Sequence, residues 1–301
     1  MSGNNREPGP GCSFYARRMD ERALMARSGG PVNRSRLVRE LAGLGLRPGD
    51  TLMFHTALSA LGYVPGGPLT VIAALREVLG EKGTLLVYSG WNDAPPHDFT
   101  DWPAPWREAV RAEHPAYDPE LSEGTHDNGR LPEALRRMPG ALRSRHPDSF
   151  VALGARAEAL VSHLPWDDPY GAQGPLGRLV ATGGRVLLLG APLDTLTVLH
   201  HAEALAQAPG KRRLTYEVPV LDADGTRVWQ RYQDIDTEDE AFDYGQVVPE
   251  GVWPFTVIAQ EALAAGMGVR GRVGAADSHL FEAAELVRFG VEWIERNITT
   301  A

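Results

Sequence analysis

Apolar positions along this chain switch between two periods, and the switches outline its elements. In "VNRSRLVRELAGLGLRPGD", Leu37, Val38, Leu41 and Leu44 recur at helical spacing and are stopped by Gly45 and Pro48-Gly49. The run "TLMFH" is short, continuous and apolar, as a strand covered on both faces requires. "GGPLTVIAALREVLGEKG" returns to the helical period up to Gly80, and "TLLVYSG" is a second apolar strand. Strand, helix and strand with short connections predict a βαβ unit. The pattern recurs in the helix "PLGRLVATGG", the strand "RVLLLGAP" and a helix from about Leu196 to Gln207. Between Arg212 and Asp236 two alternating runs flank Asp222-Ala223-Asp224-Gly225, which predicts a hairpin. Helices "FTVIAQEALAAGM" and "LFEAAELVRFGVEWIERN" close the chain. The expected fold class is α/β: a mixed, mostly parallel central sheet with flanking helices and an inserted β-hairpin.

No internal repeat or long linker interrupts this pattern, so residues 31–301 read as one domain. Residues 1–30 mix Gly, Pro and Arg without a sustained period and read as a disordered or peripherally docked leader. Asn92 to Tyr117, rich in proline and aromatic residues, reads as a long ordered loop.

Composition narrows the function. With 43% hydrophobic residues and both signs of charge spread along it, the chain is of ordinary globular type. Its single cysteine, Cys12, rules out a disulfide framework and a cysteine-based metal site. No apolar stretch reaches the ~18 residues of a membrane span, and the first thirty residues lack a signal-peptide core, so a cytoplasmic location is expected. A net charge of −9 disfavours nucleic acid as a partner and suits a neutral or cationic one. The motifs G-x-S-x-G, G-x-G-x-x-G and Walker A are all missing.

The stretch "TLTVLHHAEALAQAP" carries the most chemistry. On a 100° helical step His200, Glu203 and Gln207 share a face, while Leu196, Leu199, Ala202 and Leu205 can pack inward. Adjacent histidines diverge, so one of His200 and His201 should project from the strand end toward the crevice where open α/β sheets bind ligands. In "QDID", Asp234 and Asp236 fall on one side of a strand and could face a cavity together. A carboxylate bonded to one imidazole nitrogen makes the other a better base. The following "TEDEAFD" is either a solvated turn or a sink for a polycation. His97, His114, His126, His146, His163, His200 and His201 leave a histidine-carboxylate metal site open, although their spacing fits no standard zinc pattern.

Taken in order, "GDTLMFHTALSALGYVPGGPLTVIAALREVLGEKGTLLVYSGW", "ALRSRHPDSFVALG", "GPLGRLVATGGRVLLLGAPLDTLTVLHHAEALAQAPGKRRLTYEVPV" and "YQDIDTEDEAFD" resemble the aminoglycoside 3-N-acetyltransferases. The likeness is collinear from about Val32 to Asn297 and is closest to the gentamicin-modifying type. It implies an α/β fold distinct from the commoner N-acetyltransferase architecture. It also implies acetyl-CoA as cosubstrate without a metal, a cationic aminoglycoside as acceptor at its 3-amine, and a monomer or homodimer.

The resemblance further assigns residues. The T-x-x-H-x-A-E segment puts the catalytic histidine on His200, with Thr197 and Glu203 completing the pattern and no role for His201. The acidic partner falls on Asp234 or Asp236. His200 would take the proton of the attacking amine, with direct transfer in a ternary complex, and the Thr197 hydroxyl or a helix N-terminal amide would donate to the oxyanion. Cofactor contacts are expected from His55, Thr56, Ala57, Ser59 and Val64 of "HTALSALGYVPGG" and from Arg143 and Ser144 of "LRSRHP". Amino-sugar contacts are expected from Tyr88, Trp91 and Asp93 of "YSGWND", Glu123, Glu203 and Glu240. A same-fold acyltransferase for another amine, a metal-dependent hydrolase and a non-catalytic amino-sugar-binding module are the competing readings.

Overall fold

The computed structural model describes residues 21–299. The elements run α1 (Glu21–Ser28), α2 (Arg34–Leu44), β1 (Thr51–Thr56), α3 (Pro68–Leu79), β2 (Thr84–Tyr88), α4 (Ala104–Glu113) and α5 (Arg130–Arg136). They continue with β3 (Leu142–Arg143), β4 (Phe150–Gly154), α6 (Ala157–Val161), α7 (Pro175–Ala181), β5 (Arg185–Leu189) and α8 (Val198–Leu205). The hairpin β6 (Arg213–Leu221) and β7 (Arg227–Ile235) is followed by α9 (Pro254–Ala264), β8 (Val269–Val273), β9 (Ala276–Glu282) and α10 (Ala283–Asn297). Local chemistry sets several boundaries. The Asn33 side chain accepts the Arg36 N–H at the start of α2, and Gly45 closes that helix in the left-handed region. Asp222 accepts the N–H groups of Asp224 and Thr226 in the hairpin turn.

A seven-stranded mixed sheet has the order β3-β4-β2-β1-β5-β9-β8, and β6-β7 forms a separate two-stranded sheet. Parallel pairing is confined to the centre, β2-β1-β5, and the outer strands pair antiparallel. Four strands were not visible in the hydrophobic pattern, the two-residue β3 among them. β4 is only five residues, β8 is mostly exposed, and the end of β9 ran on into the helical period of α10. Leu280 and Phe281 in fact point to opposite faces of the sheet, one into each core, as strand neighbours must. The loop expected over Asn92 to Tyr117 contains α4, which has no buried residue of its own.

The central strands are apolar throughout because both faces are covered. Met53, Leu86, Val186 and Leu188 pack on one face with Leu199 and Ala202 of α8, Ile258 of α9 and Leu286 of α10. Leu52, Phe54, Leu85, Leu187 and Leu189 pack on the other with Leu37 and Leu41 of α2 and Ile72 and Leu75 of α3. After β1 the chain therefore leaves toward one face, and after the neighbouring parallel β5 toward the other. Such a divergence opens a crevice at the strands' carboxyl ends.

Two glycines permit close packing beside that crevice. A Cβ on Gly290 of α10 would lie 2.9 Å from Ala202 Cβ and 3.0 Å from Leu199 Cδ2, so α10 seats α8 at close range. A Cβ on Gly62, with φ 98°, would lie 2.4 Å from Ser28 Oγ, and α1 docks there against the loop after β1. Residues 1–20 of the expected leader lie outside the described residues, but Glu21–Ser28 is helical. No described helix is long and apolar enough to cross a membrane.

Candidate active site

A cleft of about 820 Å³ opens where β1 and β5 end. Its walls include His55, Thr56, Ala57, Ser59 and Val64 from the β1 loop, Tyr88 from the end of β2, and Asp194, Thr197 and His200 from the segment after β5. Glu21 and Leu24 of α1 and Asp127 and Arg130 near α5 complete the rim. A second cleft, about 720 Å³, lies against the hairpin and is lined by His97, Arg107, Arg111, Glu217 and Arg231 among others. None of the residues that the resemblance assigns to catalysis, cofactor or substrate lines it.

His200 reaches the first cleft from α8 with its side chain 22% exposed, while the adjacent His201 turns inward and is buried. The His201 Nδ1 lies 2.7 Å from the Tyr170 carbonyl, and burial lowers its pKa. The His200 ring sits between Tyr170, at 5.2 Å, and Phe255, at 4.8 Å, which restrict its orientation. Its Nδ1 lies 2.7 Å from Oε2 of Glu203, one turn on along the same helix. That carboxylate fixes the tautomer with hydrogen on Nδ1 and leaves Nε2 as the available base.

This geometry corrects the expected pairing. Neither Asp234 nor Asp236 is the partner of His200, because both are committed elsewhere. Asp234 is buried at the end of β7 and accepts the Ile235 N–H at 2.7 Å. Asp236 accepts the N–H groups of Glu238 and Asp239 and lies 3.7 Å from the Arg212 Nε. The partner is Glu203, which was expected to contact substrate but is 2% exposed, with its other oxygen accepting the Tyr244 hydroxyl at 2.8 Å. Glu203 at i+3 from His200 was legible in the sequence; Tyr244 was not.

Burial and the nearby Asp148 carboxylate push the Asp234 carboxyl well above the usual range. Its pKa is thus higher folded than unfolded. The stability it contributes is intact below the unfolded carboxyl range and is lost as pH climbs toward the raised folded value. Asp234→Asn keeps an oxygen for the Ile235 N–H. It is expected to raise Tm by at least about 2 °C near pH 8 and to change it little near pH 4, measured by thermal unfolding at both.

The cofactor residues separate into two groups. His55, Thr56, Ala57, Ser59 and Val64 line the cleft together. Burial lowers the His55 pKa to about 4, so its ring is neutral near pH 7. The His55 Nε2, Thr56 Oγ1 and Asp194 Oδ1 are buried without a hydrogen-bond partner among the described residues, as in a site that a polar ligand completes.

Arg143 and Ser144, by contrast, do not line the cleft. The Arg143 guanidinium donates to the carbonyls of Gly90, Pro119 and Ser122 and to Ser149 Oγ, bracing the loops around Trp91 and Glu123. Ser144 is buried, and its Oγ accepts the Phe150 N–H. These bonds occupy the donors that a nucleotide would need. Arg143→Met leaves carbonyls unpaired at about 1–3 kcal/mol each. It is expected to lower Tm by several degrees while leaving the affinity for the cosubstrate that the resemblance implies nearly unchanged, read by thermal unfolding and calorimetric titration.

Of the amino-sugar candidates only Tyr88 lines the cleft. Trp91 is buried in a separate aromatic cluster with Tyr117 and Tyr232. Asp93 is exposed and accepts from Asn92, and Glu123 pairs with His126 at 3.0 Å. Glu240 sits at φ 70° in the turn after β7, its carbonyl held by Arg212. The neighbouring Glu238 pairs with His97 at 2.8 Å. Trp91, Asp93 and Glu123 thus have local partners, and Glu240 serves the turn through its backbone. Among the described residues, no three His, Cys, Asp or Glu side chains are grouped to hold a metal ion.

Comparison with known proteins gives a consistent picture. A family model described as aminoglycoside 3-N-acetyltransferase matches residues 53–295. Aminoglycoside N(3)-acetyltransferase VII of Streptomyces paromomycinus is 67% identical over 281 residues, 93% of this chain and 97% of that protein. The crystal structure of aminoglycoside acetyltransferase AAC(3)-Xa superposes with a TM-score of 0.92 at 65% identity, covering 94% of this chain and 99% of the other. A structure of AAC-IIIb, a binary complex with CoASH, has a TM-score of 0.82 at 45% identity, covering 90% and 99%.

Proposed function

The chain belongs to the aminoglycoside 3-N-acetyltransferase family and is an acyltransferase, and on that premise we propose that it carries the acetyl group of acetyl-CoA to an aminoglycoside within the 820 Å³ cleft. The acceptor is the 3-amine of the 2-deoxystreptamine ring, and its acetylation gives resistance. The observation that carries this reading is the His200–Glu203 pair at the mouth of the divergent strands.

An ammonium cannot attack a thioester, so the amine must surrender a proton as its nitrogen bonds to the acetyl carbon. His200 Nε2 accepts that proton, and Glu203 stabilises the imidazolium that forms. Thr197 stands at the start of α8 with its hydroxyl free of any capping bond, which suits it to donate to the developing oxyanion. The thiolate of CoA then leaves with the pair of electrons from the broken carbon–sulfur bond. No acyl-enzyme is required. CoA-bound AAC-IIIb supports the cosubstrate, and the orphaned polar atoms of His55, Thr56 and Asp194 give a ligand in this cleft something to satisfy.

Acetyl-CoA mixed with a gentamicin- or sisomicin-type compound is expected to release free thiol in step with acetylation at the 3-amine. Absence of thiol release with every 2-deoxystreptamine aminoglycoside tried would overturn the proposal. A net charge of −9 and the cleft carboxylates of Asp127 and Asp194 add an electrostatic expectation. The KM of the polycationic acceptor should rise with ionic strength more steeply than that of acetyl-CoA, and equal slopes would assign the acidity to solubility alone.

A further inference from the structure

We propose that Tyr244 is a positioning residue of the acetyl-transfer site, acting on His200 through Glu203. The inference rests on His200 being the base. Tyr244 is far from the cleft residues in sequence and is fully buried, in the loop between β7 and α9. Its hydroxyl donates to Glu203 Oε1 at 2.8 Å, while Glu203 Oε2 meets His200 Nδ1 at 2.7 Å. Each carboxylate oxygen thus has one partner, and the three side chains form a line from the core to the cleft.

A carboxylate held at only one oxygen can rotate about its last bond. The phenol removes that freedom and so aims Oε2 at the imidazole. The Tyr244 ring is itself held, edge-on to Phe242 at 6.1 Å and tilted against Trp293 at 6.4 Å. Burial and the Glu203 charge raise the phenol's pKa, so it remains a donor throughout the working range. The other charged groups acting on Glu203 are Lys211, which bonds the Ala204 carbonyl, and Glu240. On its other side His200 meets the Tyr170 phenol ring. Only Tyr244 and His200 make hydrogen bonds to the Glu203 carboxylate among the described residues.

Tyr244→Phe removes the hydroxyl and keeps the ring. It is expected to lower kcat about 10-fold or more, within the range for partners that orient a functional histidine. The KM for acetyl-CoA should stay within about 2-fold, since the lost hydroxyl bonds Glu203 and Tyr244 does not line the cleft. A carboxylate that loses a donor becomes more basic and favours the imidazolium. The acidic limb of the kcat profile should therefore move up by about half a pH unit. Placing 3-fluorotyrosine at position 244 strengthens the donor without changing its shape, and should move the limb the opposite way. That second variant decides the matter if Tyr244→Phe does not fold.

An unchanged kcat and pH profile in Tyr244→Phe, with His200→Ala inactive, overturns the role of Tyr244 and leaves the proposed function standing. Full activity in His200→Ala instead removes the base assignment on which the inference rests. A profile unmoved by the fluorinated tyrosine, with parent-like kcat, also counts against Tyr244.

Discussion

Replacing His200 with alanine is expected to lower kcat for acetyl transfer by about 10²–10⁴-fold, the contribution of positioned general-base catalysis. The Kd for acetyl-CoA should stay near the parent value, because the ring contacts Glu203, Tyr170 and Phe255 rather than the β1 loop. Steady-state kinetics and calorimetric titration separate the two effects. The neighbouring His201→Ala provides the contrast: that ring is buried against the Tyr170 carbonyl, so its loss should cost about 1–3 kcal/mol of stability and far less activity. Equal losses of kcat in the two variants would undo the assignment of His200 as base.

Glu203→Gln should rank next, with kcat reduced by about 10²-fold and up to 10⁴-fold, the size seen when an orienting carboxylate becomes an amide. The physical cause is the tautomer. Glu203 accepts at Oε2 and so keeps the hydrogen on His200 Nδ1. A glutamine whose amide NH₂ faces the ring would donate instead, moving the hydrogen to Nε2 and turning the base into an acid. The two orientations of the amide differ in whether Tyr244 keeps an acceptor, so Tyr244 helps decide which is populated. Nitrogen-15 spectra of the His200 ring in parent and variant would report the tautomer directly. A parent-like tautomer together with parent-like kcat would show that Glu203 only packs.

The divergence of the two histidines was legible because the signal is local, and the choice of His200 came from the family resemblance. Two adjacent helical positions must point about 100° apart, so only one of His200 and His201 could face the strand-end crevice. Glu203 lies within the same turn and is equally visible, yet the expected reading gives it to the substrate and the role of partner to a pair of aspartates on another element. The error has a physical source. Strand alternation would put Asp234 and Asp236 on one side, but β7 ends at Ile235, and alternation says nothing about what that side packs against. In the folded chain Asp234 turns to the interior near Asp148, and Asp236 closes its own turn. The same holds for Arg143, which the resemblance gives to the cofactor and whose donors are spent on loop carbonyls.

By itself the sequence determined the α/β alternation, the hairpin, the helix stops and the divergence of His200 from His201, because each follows from period, capping or turn chemistry within a few residues. Only the tertiary structure decided which carboxylate reaches the histidine, which loops wall the cleft, and that Tyr244 closes the line behind Glu203. Those choices depend on how α8, α9, α10 and the turn after β7 pack over one face of the sheet. Such contacts join residues far apart in the chain, and no local pattern of hydrophobic and polar positions encodes them.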